Sequence, residues 1–402
     1  MSRHRFAGLS VALLLAACSA GRPSAPSGAD AEQRAAEQAV AQPSAVEEQD
    51  AAQPSAPEPP AAQVAASEVA VAEQADPGPV PSGSPASGVA LGEPVGAGLL
   101  TLVVGGDVHA EPPITSVLDR GDSPLAGVAA ELTSADLAIV NLETAVGVLG
   151  TPADKQYTFQ APASLWPALR ASGVDVVNLA NNHALDFGPE ALAETIAGAR
   201  AAGLTVVGAG RDAGEAYAPA VARVRDASVA VVGLTRVMPV AEWAAGPRSP
   251  GLASAYDVDA AAEAVRAAAR LADHVVVTIH WGAEGAACPV AHQHELAAVL
   301  TGAGADVVAG HHAHRLQGIE QRDGAVVAYG LGNLVFYAAT DRTRTTGLLR
   351  IALGDATLPE AVLLPARIDA EGSPQPLTGA SARTVVDEVA SLTPGGGICP
   401  AA

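Results

Sequence analysis

From Leu99 onward, short runs of Val, Leu and Ile alternate with Ala-rich stretches of helical length. This alternation restricts the chain to layered α/β folds, because each apolar run must be covered by a neighbouring element. The expected strands are 100–104, 137–141, 174–179, 205–208, 229–234, 274–280 and 307–310. The expected helices are 124–132, 164–171, 189–202, 258–271 and 291–302. After Gly310 the pattern becomes strand-rich, with runs at 315–321, 325–330, 333–336, 347–352 and 359–365 and a hairpin turn at Asp323-Gly324. A last helix is expected over 381–392. Aromatic residues make up only 3% of the chain, so the core is expected to be aliphatic.

The N-terminal part has a different texture. Residues 1–18 read as an exported leader: Arg3 and Arg5, then an apolar stretch too short to span a bilayer, then Leu15-Ala16-Ala17-Cys18. A Cys in that position resembles a bacterial lipobox, so Cys18 is the expected lipidation site and the membrane anchor. Residues 19–97 are Ala, Pro, Ser, Gln and Glu with eleven acids against two arginines. Such a segment cannot bury enough apolar surface to offset its ordering entropy, and it is expected to be a disordered tether. The formal charge of the chain is −21. That balance argues against a general nucleic-acid binder, which needs a basic footprint on phosphate. The remaining thiols, Cys288 and Cys399, are expected to pair and to pin the tail beside the loop after His280; two separate thiols are the alternative.

Polar residues fall at the ends of the expected strands, where sites form in layered α/β folds. The first strand ends Gly105-Gly106-Asp107-Val108-His109, and residues two apart on an extended segment share a side. The second ends Asn141-Leu142-Glu143. The third ends in Asn181-Asn182-His183, followed by Asp186. Two later strands end in His280 and in Gly310-His311-His312-Ala313-His314. Taken singly, each group also reads as turn or helix-cap chemistry. Three His in four residues behind an apolar strand is a strong metal-ligand signal. His292 and His294 lie on a helix start, where residues two apart do not face each other, and are left out of the site. The segment Leu118-Asp119-Arg120-Gly121-Asp122 reads as a turn.

The order Asp-x-His, acid, Asn-His, His, Gly-His-x-His resembles the ligand order of calcineurin-like metallophosphoesterases. The segments SADLAIVNLETAV, VVNLANNHALDFG, TIHWGAE, GADVVAGHHAHRLQGIE and YGLGNLVF are similar to the CapA family of capsule and poly-γ-glutamate synthesis proteins. The resemblance implies an α/β, metallophosphatase-like fold: a layered β-sandwich core flanked by helices (αββα). The implied domain covers residues 98–366, with a C-terminal extension at 367–402. It also implies a divalent-metal site, mononuclear or dinuclear, with Asp107, His109, Glu143, Asn182, His280, His312 and His314 as candidate ligands. For two cations, Asp107, His109 and His314 would hold one and Asn182, His280 and His312 the other, with Glu143 bridging. Imidazoles mixed with carboxylates suit Mn, Fe or Zn. His183 is the candidate proton donor, and Asp186 either orients it or caps a helix. Asn333 reads as a turn residue.

The implied function is work on an anionic envelope polymer as a hydrolase or transferase. A non-catalytic subunit that anchors the polymer for a membrane synthase, and a general phosphoesterase, are the alternatives. Arg315, Arg342, Arg344 and Arg350 follow the His triplet and offer a local positive focus, or an ordinary solvated hairpin.

Overall fold

The computed structural model describes residues 99–354 and 357–400. The leader, Cys18 and the tether lie outside the described residues. In chain order the principal strands are β1 (Leu100–Val108), β2 (Leu137–Leu142), β3 (Val176–Asn178), β4 (Thr205–Val207), β5 (Ala220–Val224), β6 (Ala227–Thr235) and β7 (His274–His280). They continue with β8 (Val307–His311), β9 (Ile319–Arg322), β10 (Ala325–Ala328), β11 (Asn333–Val335), β12 (Thr345–Gly354), β13 (Thr357–Ile368) and β14 (Pro374–Pro376). The principal helices are α1 (Ile114–Asp119), α2 (Ala129–Ser134), α3 (Leu165–Ala171), α4 (Gly188–Ala201), α5 (Val258–Ala269), α6 (Ala291–Gly302) and α7 (Gly379–Leu392).

Two sheets pack face to face. The first is eight-stranded in the order β14-β13-β12-β1-β2-β3-β4, with β11 also paired to β1. Its β1, β2, β3 and β4 run parallel, and its β12, β13 and β14 are antiparallel additions. The second is six-stranded in the order β9-β10-β8-β7-β6-β5, with β6, β7, β8 and β10 parallel. The parallel strands read as continuous apolar runs because both faces are covered. Leu102, Val104, Ile139 and Val176 of the first sheet meet Val229, Val231, Val276 and Val307 of the second in the shared core. Leu132, Leu165, Leu169 and Leu192 cover the outer face of the first sheet, and Val265, Ala268, Leu296 and Leu300 that of the second. The result is the αββα sandwich that the resemblance implies.

Local chemistry sets the element ends. Asp257 caps α5 by accepting from the Ala260 amide at 2.9 Å, the ordinary N-cap bond. The Asp323-Gly324 turn has φ of 52° and 85°, the left-handed pair that a two-residue hairpin requires. Sequence periodicity does not foretell α1 or the half-exposed edge strand β5. Leu118 and Asp119 close α1, and only Arg120 to Asp122 form the turn.

Residues beyond 366 extend the first sheet and the shared core. β13 runs on to Ile368 and pairs with β14, and α7 sends Val385, Val386 and Val389 between the sheets. A disulfide joins Cys288 to Cys399, with Cα atoms 5.4 Å apart and a sequence separation of 111. A crosslink over a loop that long restricts the unfolded chain, worth about 2–4 kcal/mol. Cys399→Ser should therefore lower unfolding stability by about that amount. Urea denaturation with and without reductant checks this: the wild type should lose stability on reduction, and the variant should not.

Candidate metal centre

The carboxyl ends of β1, β2 and β3 in one sheet meet those of β6, β7 and β8 in the other. Every polar group singled out above sits at one of these ends. Gly106 makes the closest approach possible: a Cβ there would lie 1.9 Å from the Gly332 carbonyl oxygen. Without it, the Asp107 amide donates to that oxygen at 2.9 Å, which fixes Asp107 at the mouth of the sheet.

Asp107 is fully buried. Its Oδ1 accepts from Asn141 Nδ2 at 2.9 Å and lies 3.5 Å from His311 Nδ1. Its Oδ2 lies 3.3 Å from His314 Nδ1. Burial alone would raise this carboxyl, but hydrogen bonding and the charge of His314 outweigh it and hold it below its ordinary value. Glu143, one residue beyond β2, is equally buried, and neither of its oxygens has a hydrogen-bond partner. Three imidazole nitrogens surround its Oε1: His280 Nε2 at 3.5 Å, His314 Nε2 at 3.9 Å and His183 Nε2 at 4.0 Å. Burial, then the Asp107 charge, pushes Glu143 well above the usual carboxylate range.

Both His312 and His314 adopt left-handed backbone, with φ of 86° and 54°. That conformation is rare outside glycine and marks a turn held by its surroundings. It leaves His311, His312 and His314 facing the cluster, with the His312 amide 3.4 Å from Asp107 Oδ2. Burial pushes His312 down to about 3. Burial also opposes charge on His314, yet Glu143 and Asp107 lift it to about 10. His280 Nε2 lies 2.9 Å from Asn182 Oδ1, so Asn182 joins the cluster.

Three overlapping triads could each hold a cation: Glu143–His280–His312, Asp107–Glu143–His314 and Glu284–His312–His314, with ligand atoms within 4.8 Å of one another. Glu143, His312 and His314 each belong to two of them. The buried, unpartnered Glu143 oxygens and the orphaned Nδ1 atoms of His311 and His312 fit a bound divalent cation, since buried charges are otherwise paired.

His109 departs from the expected set. Its Nε2 accepts from the Tyr337 amide at 3.1 Å, and its ring stacks on Phe336 at 3.9 Å. It belongs to none of the three triads. The spacing argument fails because the ladder shifts register between Asp107 and Val108 and β1 ends at Val108.

His183 stacks on Phe159 at 4.0 Å. Its Nδ1 lies 2.6 Å from Asp186 Oδ2, and Lys155 Nζ lies 2.5 Å from Asp186 Oδ1. Asp186 orients the imidazole and caps nothing, since α4 has no side-chain cap bond. Burial lowers His183, and the Asp186 hydrogen bond opposes that shift. Asn333 is more than a turn residue: its Oδ1 accepts from His314 Nδ1 at 2.8 Å. His292 and His294 are occupied elsewhere, by the Gly282 amide at 3.2 Å and the Tyr329 hydroxyl at 3.0 Å.

Sequence reasoning missed Lys155, His311 and Glu284. Lys155 lies in an irregular loop with no strand end to flag it. Glu284 is four residues past His280, where its isolated side chain looks like surface. His311 belongs to the His triplet, but the family's Gly-His-x-His order implies only His312 and His314.

A model of the bacterial capsule synthesis protein PGA_cap family matches residues 101–338. The chain belongs to this family. The matched span holds every PGA_cap residue of the cluster just described. Among curated relatives, the capsule biosynthesis protein CapA of Bacillus anthracis is 34% identical over 232 residues, covering 57% of this chain and 56% of that one. The PGA biosynthesis protein CapA of Bacillus subtilis strain 168 is 35% identical over 202 residues, covering 50% and 53%. The PGA_cap chain thus spans about half the length of the curated relatives it matches. Among solved structures, the sulfate thiohydrolase SoxB of Thermus thermophilus aligns at a TM-score of 0.39 and 14% identity, over 68% of this chain and 58% of that one.

Proposed function

We propose that the chain is an exported, lipid-anchored, metal-dependent hydrolase or transferase acting on an anionic polymer in capsule or poly-γ-glutamate synthesis. One observation carries the reading: a fully buried Glu143 whose oxygens lack hydrogen-bond partners and face three imidazoles within 4.0 Å. A carboxylate in that setting costs several kcal/mol unless a cation joins it. Asp107, Glu143, His280, His312 and His314, with Asn182, would hold Mn, Fe or Zn.

A divalent cation there supplies Lewis acidity, polarising a substrate oxygen and bringing the pKa of water toward about 7. The chain's own residues do the rest. Asp186, anchored by Lys155, keeps the His183 proton on Nδ1 and leaves Nε2 facing the cluster. That nitrogen takes the proton released by the attacking water and delivers it to the leaving atom, the amide nitrogen of a γ-glutamyl link or the oxygen of a phosphodiester, as a general acid does. Phe159 fixes the plane of the ring and dries one face of it. The two CapA relatives are named for capsule and PGA biosynthesis, which supports an envelope polymer as substrate and its membrane synthase as partner.

The test is metal content of the purified full chain, together with cleavage of γ-linked glutamate oligomers and of a phosphodiester after Mn or Zn loading. Stoichiometric metal, and oligomer cleavage lost in Asp107→Ala and His312→Ala, is the expected result. Polymer binding by a chain that holds no metal would replace the enzyme with an anchoring subunit. Phosphodiester cleavage alone would make it a general phosphoesterase. Retention of the Cys18→Ala chain in the membrane fraction would remove the lipid anchor from the proposal.

A further inference from the structure

Of the four arginines after the His triplet, two are committed. Arg350 pairs with Glu131, and Arg344 Nε donates to the Ile368 carbonyl at 2.8 Å. The other two are not. Arg315, one residue past His314, spends Nη1 on the Gly285 carbonyl at 3.2 Å, and its buried Nε has no partner. The Arg342 side chain makes no hydrogen bond or ion pair among the described residues. Both line one pocket of about 140 Å³, whose remaining walls are Leu316, Asp341, Thr345, Val385, Glu388, Val389 and Leu392. Burial, then the like charge of Arg342, depresses Arg315, and the charge of Glu388 opposes that shift. Asp341 is spent on Arg367 at 2.5 Å, which leaves Glu388 as the one uncommitted carboxylate of the wall.

We propose that this pocket is a subsite for an aliphatic carboxylate: the guanidiniums of Arg315 and Arg342 take the charged end, and Leu316, Val385, Val389 and Leu392 take its hydrocarbon stem. Guanidiniums bind planar oxyanions strongly and with defined geometry. The apolar floor favours a carboxylate on a methylene stem over inorganic phosphate, which has no apolar part. The volume is well below that of a drug-sized site, about 300–1,000 Å³, so one side group enters and the rest of the ligand stays outside. The pocket is connected to the metal centre by covalent and hydrogen-bonded links. Arg315 follows His314, and Asn333, which holds His314, donates to the Thr343 carbonyl at 3.1 Å in the segment that carries Arg342. The inference rests on the reading of the substrate as an anionic polymer, and it assigns the place where one of its pendant carboxylates is gripped.

The test is calorimetric titration of the full chain, stripped of metal, with glutarate, γ-linked glutamate oligomers and inorganic phosphate. Glutarate and the oligomers should bind, and phosphate should bind at least about tenfold more weakly. Arg342→Gln should weaken glutarate about tenfold or more, and Glu388→Gln, which removes the competing charge, should tighten it. No glutarate binding, binding unchanged in Arg342→Gln, weaker binding in Glu388→Gln, or phosphate binding as tightly as glutarate would each overturn the subsite. Arg342-dependent binding by a chain that cleaves nothing after metal loading would keep the subsite and discard the hydrolase. Oligomer cleavage with binding indifferent to Arg342 would do the reverse.

Discussion

Glu143→Gln is expected to remove stoichiometric metal from the purified protein and to lower turnover by about 10²-fold or more. Lewis-acid stabilisation is worth several kcal/mol, and each 1.4 kcal/mol is about tenfold in rate. Glu143 stands in two of the three triads, so its loss weakens both cation positions at once. The same substitution should act in the opposite sense on the metal-free protein. There the wild-type carboxyl is buried without a hydrogen-bond partner and is held well above its ordinary 4.5 by burial and by Asp107. The folded state then binds a proton that the unfolded chain releases. Stability from that proton is present below about 4.5 and is lost as the pH rises through the raised value. His314, lifted to about 10 from 6.5, adds the same sign of slope above neutrality. Gln carries no charge at any pH. Thermal melts of metal-free wild type and Glu143→Gln at pH 5 and pH 8 should show the variant equal or more stable at pH 8, with a smaller difference at pH 5. A variant that keeps its metal and its rate would remove the centre from the proposal.

His183→Asn is expected to leave metal content intact and to cut kcat by about 10²–10⁴-fold, the usual worth of a placed general acid. The residue lies 4.0 Å from Glu143 Oε1 yet belongs to none of the three triads, so rate and metal should separate. Asp186→Asn and Lys155→Met should lower kcat less, because the imidazole remains while its orientation loosens. A substrate with an activated leaving group needs little protonation, so it should recover most of the His183→Asn loss. Metal analysis beside steady-state rates on the two substrates checks the prediction. Equal losses on both would assign His183 to structure instead.

Much of this was legible because parallel strands buried on both faces show as plain apolar runs, and because polar groups recur at the ends of strand after strand, which turn or helix-cap chemistry explains singly but not together. Asp107, Glu143, Asn182, His183, His280, His312 and His314 were all found this way, and the structure gathers them. His109 lies outside the three triads, where β1 loses the regular register that two-residue spacing assumes, although its Nδ1 is buried without a hydrogen-bond partner. Lys155 was out of reach: it comes from the long connection between β2 and α3, and its role exists only through Asp186. Asn333 looked like a turn residue, and only the β1–β11 pairing, which sets it opposite Asp107, shows its link to His314. The edge strand β5 carries alternately half-buried and exposed positions, so its sequence lacks the apolar run that marks the inner strands.

Asp107 and Glu143 issue from one sheet, and His280, His312 and His314 from the other. Two of the three triads, Glu143–His280–His312 and Asp107–Glu143–His314, draw their donors from both layers. An ion seated among them would therefore act as a clasp, gripping both layers and drawing part of its affinity from the closure of the sandwich itself. Occupancy and folding would then report on each other: an ion-loaded molecule should resist urea better than its stripped counterpart, and a molecule with one layer loosened should surrender its ion before it unravels.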